Sequence, residues 1–208
     1  MINNVKFAYR NGTLITFVKD GHKDGVPYAE VKKIWETLTI NSIDGWCWRA
    51  FNNMLAFVIL IAQGQGGVLF VWDTDRKEII HYSEASYCED FLVIDDKIVT
   101  MHFVTNYETP YHIQLWVCKL GTKDIGAAGK RLHCKFPVSF DRNSSIEGRG
   151  LTLKGKTLFV DIGDHEYLYS DDVRAIEGQQ PQPEYSFLYK EWETLLDSDK
   201  NALRGMIT

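Results

Sequence analysis

An all-β fold built from antiparallel meander sheets is predicted by three features of the chain. Between Gly67 and Leu120, five apolar segments rich in Val, Ile, Phe, Tyr and Trp alternate with polar turn clusters, and no helical period runs through them. Asn11-Gly12 separates the strand-like runs Val5–Arg10 and Thr13–Val18, and both residues tolerate the positive φ that a two-residue hairpin requires. The run Met54–Ala62 is apolar throughout, of strand length, and bounded by Asn52-Asn53 and a Gln-Gly cluster, the pattern of a strand covered on both faces. A β-sandwich or barrel is the alternative arrangement of the same strands.

Taken in order, the first hairpin leads into the polar loop Lys19–Gly25. Tyr28–Trp35 and Thr37–Ile40 then read as a second pair of strands. The alternative is a short helix over Tyr28–Thr39, with Ala29, Val31, Ile34 and Trp35 apolar and Glu30, Lys32, Lys33 and Glu36 polar. Trp46–Phe51 and Met54–Ala62 follow as strands. Further strands are expected near Val68–Trp72, Glu78–Tyr82, Asp90–Ile94, Lys97–Val104 and His112–Leu120. Arg131–Val138 supplies one strand between two polar loops, Arg149–Val160 a hairpin about Lys154-Gly155, and Glu166–Tyr169 one strand more.

Four turns repeat a pattern. Asn11-Gly12, Asn52-Asn53, Asp95-Asp96 and Lys154-Gly155 each divide two strand-like runs. Three residues past each turn stand Ile15, Ala56, Val99 and Leu158, and two residues further Phe17, Val58, Met101 and Val160. All are apolar. Residues two apart share a sheet face, so one inward register serves every copy. The turns recur after about 40 residues twice and then about 60, the longer step carrying a loop insertion between Gly121 and Gly150.

Each copy reads as four short strands, the third and fourth joined by a polar turn, as in Val68–Trp72, Asp73–Arg76 and Lys77–His81. In this respect the chain resembles β-propeller repeat proteins, and Val71-Trp72-Asp73 looks like the end of the third strand in WD-type blades. The resemblance implies a propeller-like body of about four units, closing a small ring or completed by a second chain. A Gly-His dipeptide in each copy, which that family carries, is missing.

Residues 1–178 are thus expected to form one all-β domain. Gly178–Pro183 reads as a linker. Within 179–208, Phe187, Leu188, Trp192, Leu195 and Leu196 fall on one face at helical spacing opposite Lys190, Glu191 and Glu193, an amphipathic helix that packs on the domain or on a partner.

The net charge of −5 offers no basic stripe for a phosphate backbone, so nucleic-acid binding is not expected. The apolar runs fall far short of the roughly 18 residues a membrane helix needs. Cys47, Cys88, Cys118 and Cys134 are scattered without a Cys-x-x-Cys pair, and the first residues show no charged-then-apolar signal pattern. A cytoplasmic chain with reduced cysteines is expected.

Asp161-Ile-Gly-Asp164-His165-Glu166 is the densest group of acid/base side chains, and Asp161, Asp164 and His165 are the catalytic candidates for a hydrolase-type reading. No metal site is expected, because nothing else supplies ligands at a recognisable spacing. Asp73-Thr74-Asp75 and Asp95-Asp96 lack the glycine and distal glutamate of a calcium loop and read as turns. Gly-x-Ser-x-Gly does not occur, and Gly64-Gln-Gly66-Gly67 leads into a strand instead of a helix, so neither a serine nucleophile elbow nor a phosphate cradle is expected, and no cofactor. Trp46 and Trp48 share a strand face and, if exposed, are the candidate binding patch. The function expected is that of a binding or scaffold module whose partner is another protein, with homo-oligomerisation, a loop-based hydrolase, or a small-molecule or carbohydrate sensor as alternatives.

Overall fold

A computed structural model describes residues 1–39, 43–61, 66–106, 109–127, 130–133, 149–154, 157–162 and 165–170. The strands are β1 (Ile2–Arg10), β2 (Thr13–Lys19), β3 (His22–Pro27), β4 (Ile43–Phe51), β5 (Met54–Ile61), β6 (Gly67–Asp73), β7 (Glu78–Glu84), β8 (Cys88–Ile94), β9 (Lys97–Asn106), β10 (Thr109–Lys119), β11 (Lys130–His133), β12 (Arg149–Lys154), β13 (Thr157–Ile162) and β14 (His165–Ser170). One helix, α1 (Tyr28–Ile34), interrupts them among the described residues. The protein is all-β, as its sequence predicts.

The strands form four sheets, each from consecutive strands in sequence order: β1-β2-β3, β4-β5-β6-β7, β8-β9-β10-β11 and β12-β13-β14. Three of the four repeated turns are the two-residue connection between the first and second strand of their sheet, joining Arg10 to Thr13, Phe51 to Met54 and Ile94 to Lys97. The fourth is displaced by one residue from the expected Lys154-Gly155, because Lys154 still belongs to β12 and pairs with Thr157. Asn11, Gly12, Asn52 and Asp95 adopt positive φ, the backbone that residues with short polar side chains or none accept at least cost. Ile15, Ala56, Val99, Phe17, Val58 and Met101 are all buried, and so are Leu14, Leu55, Phe57 and Ile98 on the opposite faces, so these second strands are covered on both sides.

Two further expectations need correction. Tyr28–Trp35 is not a strand; the helical alternative holds over Tyr28–Ile34 only, ending short of Thr39. Pro27 has no N–H to donate and its fixed φ of −65° suits the position ahead of a helix. Tyr28, Val31, Ile34 and Trp35 then fall on one face and pack on the core at helical spacing. Glu30 in the first turn and Lys32 and Lys33 in the last complement the helix dipole. The Lys32 ammonium also donates to the Glu36 carbonyl and, at 2.8 Å, to that of Leu38, satisfying acceptors beyond the helix end. The second correction concerns Gly67–Leu120, which does not run as one meander: β6 and β7 finish the second sheet, and β8, β9 and β10 begin the third.

The chain divides into two compact units, Met1–Cys88 with Cys118–Gly129, and Glu89–Val117 with the strands from Lys130 onward. In the first, the β1-β2-β3 sheet and the β4-β5-β6-β7 sheet share a core. Ile2, Leu14, Ile15, Phe17 and Val26 meet Leu55, Phe57, Ile59, Val68, Phe70 and Trp72, with Val31 of α1 and Leu38 closing one side. Every residue of β6 is buried, as befits an internal strand covered on both faces. In the second unit, Phe91, Ile94, Ile98, Val99, Met101, Leu115, Trp116, Val117 and Leu151 are buried. There Asp90 ties β8 to β12: its Oδ1 accepts the Phe91 N–H and its Oδ2 the Leu151 N–H, each at 2.8 Å.

The expected amphipathic helix within 179–208 and the strand residues 134–138 lie outside the described residues, as does the Gly178–Pro183 linker. No described helix is long and apolar enough to cross a membrane.

Candidate binding surface

Exposed aromatic rings are few among the described residues: Tyr9, Trp48 and Tyr87. Two of them lie in the first unit beside packed rings, Trp48 opposite a ladder through Phe57 and Tyr9 against Tyr28. Trp48 on β4 pairs across the sheet with Phe57 on β5, and Phe57 with Phe70 on β6. The Phe57 and Phe70 rings stack with centroids 5.5 Å apart, and Phe7 of β1 meets Phe57 edge-on at 6.2 Å. Two residues along β1, Tyr9 makes a second edge-to-face contact, 5.4 Å from Tyr28, whose hydroxyl donates to the Leu38 carbonyl at 2.8 Å. Rings held by such contacts keep little rotational freedom to lose on binding.

The two surface rings differ in what supports them. Phe57 is fully buried, whereas its cross-strand partner Trp48 remains 37% exposed because β4 is the edge of its sheet. Tyr9 is 47% exposed on β1, also an edge, whose pairing with β2 is loosened by irregularities between Asn3 and Lys6 and between Phe7 and Arg10. Trp46 is carried by the same strand as Trp48, beside a shift of register between Asp44 and Cys47. Tyr9 escaped the sequence reading because alternation along β1 marks a strand but not which strand lies at an edge.

Of the acid/base candidates, Asp161 and His165 are placed by strand pairing alone. Asp161 on β13 stands opposite Glu166 on β14, and His165 opposite Ile162, so the pairing does not set Asp161 against His165. Asp164 lies outside the described residues. Among the described residues no group of three or more His, Cys, Asp or Glu gathers as a metal would require. The acidic turn residues serve the fold. Asp73 Oδ1 accepts the N–H groups of Asp75 and Arg76 at 2.9 Å each, and Asp75 is held by Lys19 and by Asn53, both at 2.5 Å.

The strand histidines His81 and His102 are fully buried. His81 Nε2 lies 3.0 Å from Ser83 Oγ, and His102 Nε2 lies 2.7 Å from Thr100 Oγ1, with the His102 ring stacked on Trp116 at 3.7 Å. Burial lowers the His81 pKa to about 4, so its imidazole is neutral at physiological pH. Rings sealed in this way have no access to a substrate. Gly67 opens β6, which places the Gly64–Gly67 cluster ahead of a strand.

No family model matches the sequence, and no curated protein matches it. A solved structure from a study of two prolyl endopeptidases is similar to this chain at 15% identity with a TM-score of 0.48, covering 82% of this chain and 28% of that one. The chain therefore spans under a third of that protein's length, and a likeness at this level assigns no activity.

Proposed function

We propose that the protein is a binding or scaffold module and that it engages another protein through the surface aromatic rings of its first unit, with Trp48 and Tyr9 as contact residues. The observation that carries this reading is the pairing of exposure with support from the fold: two surface rings stand on edge strands, Trp48 directly opposite the buried Phe57 and Tyr9 edge-on against the half-buried Tyr28. Aromatic side chains of this kind supply a large share of binding energy at protein interfaces, because they bury much area at low entropic cost. The fully buried histidines and the structural use of Asp73 and Asp75 support it as well, since these side chains are already engaged in the fold.

The test is affinity capture with the wild-type chain and with the double variant Trp48→Ala, Tyr9→Ala, after confirming equal thermal midpoints. A stoichiometric protein partner retained by wild type and weakened by about 30- to 1000-fold in the variant is expected, since each of the two truncated anchors costs on the order of 1–2 kcal/mol. Equal retention by both chains would remove these two residues from the interface, and the reading with them.

A further inference from the structure

The second sheet ends in a strand whose outer edge is already taken. Tyr82 of β7 donates its N–H to the Thr122 carbonyl at 2.9 Å and accepts from the Asp124 N–H at 3.1 Å, while the Glu84 N–H reaches the Ala127 carbonyl at 3.2 Å. Lys123 forms a parallel bridge with Tyr82. The segment Thr122–Ala127, which lies between β10 and β11 in sequence, thus runs along β7 as a short strap within the first unit. Its other fastenings are that Ile125 packs against the core, that the Thr122 N–H and Oγ1 donate to the Lys119 carbonyl at 3.2 and 2.7 Å, and that Cys118 Sγ donates to Thr122 Oγ1 at 3.3 Å.

The outer edge of the neighbouring sheet is treated differently. β3 is the terminal strand of its sheet, and its sequence His-Lys-Asp-Gly-Val-Pro carries a lysine, a glycine and a proline, residues that discourage strand addition. β7 reads Glu-Ile-Ile-His-Tyr-Ser-Glu, with β-branched and aromatic residues at its centre and neither lysine nor proline. An edge of that composition invites pairing when bare.

We propose that Thr122–Ala127 is an edge guard, and that β7, once uncovered, pairs with β7 of a second copy of this chain. The hydrogen bonds set the register of that pairing. Tyr82 is the residue whose N–H and C=O both face outward, so a two-fold axis through it makes a hydrogen-bonded Tyr82–Tyr82 pair, with Glu84 opposite Ile80 and no glutamate facing another. The inference is independent of the Trp48 and Tyr9 surface, which lies on other strands.

The variant Asp124→Pro removes the N–H that bonds Tyr82 and leaves Ile125 in the core. Amide exchange and sedimentation velocity are followed together over a wide range of protein concentration. At low concentration the Tyr82 and Glu84 amides exchange faster than in wild type by on the order of 100-fold, because a strap that has lost its Asp124 bond no longer holds the Thr122 and Ala127 carbonyls against them. At high concentration a dimer forms that wild type does not form under the same conditions, and these two amides regain protection. Should Asp124→Pro leave too little folded protein to measure, the pair Thr122→Gly, Lys123→Gly loosens the strap without touching a core side chain and is read identically. Folded variants with rapidly exchanging Tyr82 and Glu84 amides that stay monomeric at every concentration would overturn the proposal. So would amides that stay protected at low concentration with the strap broken.

Discussion

His81 makes one hydrogen bond, from or to the Ser83 hydroxyl, and its Nδ1 has no partner in a fully buried site. Such a ring is tolerated neutral and resists protonation, since a charge there would be stripped of water. Its pKa, lowered from 6.5 to about 4, turns this into a pH dependence of stability. Above pH 6.5 the ring is neutral in both folded and unfolded chains. As pH falls toward 4 the unfolded chain takes up its proton first, which removes roughly 3 kcal/mol of stability. The thermal midpoint of wild type should therefore drop across that window, and that of His81→Gln should drop less. Equal slopes would show that the site does not exclude the proton. Gly67 offers a steric counterpart: a Cβ there would stand 2.4 Å from Leu60 Cδ2 and 2.5 Å from the Ala85 carbonyl oxygen. Gly67→Ala should cost about 1–3 kcal/mol in chemical denaturation, the penalty of overpacking against backbone. Of these residues, Trp48 was legible from the Trp-Cys-Trp triplet and the acidic turns from their composition. The sealed His81 was not, because a strand pattern places histidine on a face without saying whether that face is covered.

At the scale of elements, short-range chemistry was readable wherever it decided the outcome alone. Asn-Gly, Asn-Asn and Asp-Asp each supply a residue that accepts positive φ, and each became the tight turn its sequence suggests. Tyr28–Ile34 was harder, because Ala29, Val31, Ile34 and Trp35 satisfy a strand or a helix over so few residues. What selects the helix is Pro27 ahead of it and the charge order of Glu30 and the two lysines, with the contact of Val31 on the core supplying the stability that one short helix lacks. The division of Gly67–Leu120 between two sheets was not legible. Ala85–Tyr87 carries no glycine or proline to mark a break, and Tyr87 reaches its positive φ of 58° without one. The strap along β7 was equally hidden, since its three backbone bonds depend on proximity in the fold and not on the side chains of Thr122–Ala127.

For the whole molecule, the repeat is what connects sequence to architecture. Four sheets made from consecutive strands each open on a hairpin, the first three of them on a turn whose residues recur in the sequence, with the apolar positions beyond the turn buried. Sheets of this kind gain their stability from local pairing and from burying both faces of their middle strands, as β5 and β6 do between Leu55 and Asp73. Edges and loops are free to vary on such a scaffold, and Trp48, Tyr9 and the β7 strap lie there. The central claim is that one hairpin register is used four times. Nuclear Overhauser contacts across the closing pairs of the four turns test it most directly. The account predicts contacts for Arg10 with Thr13, Phe51 with Met54, Ile94 with Lys97 and Lys154 with Thr157; a pairing displaced by even one residue in any of the four would contradict it.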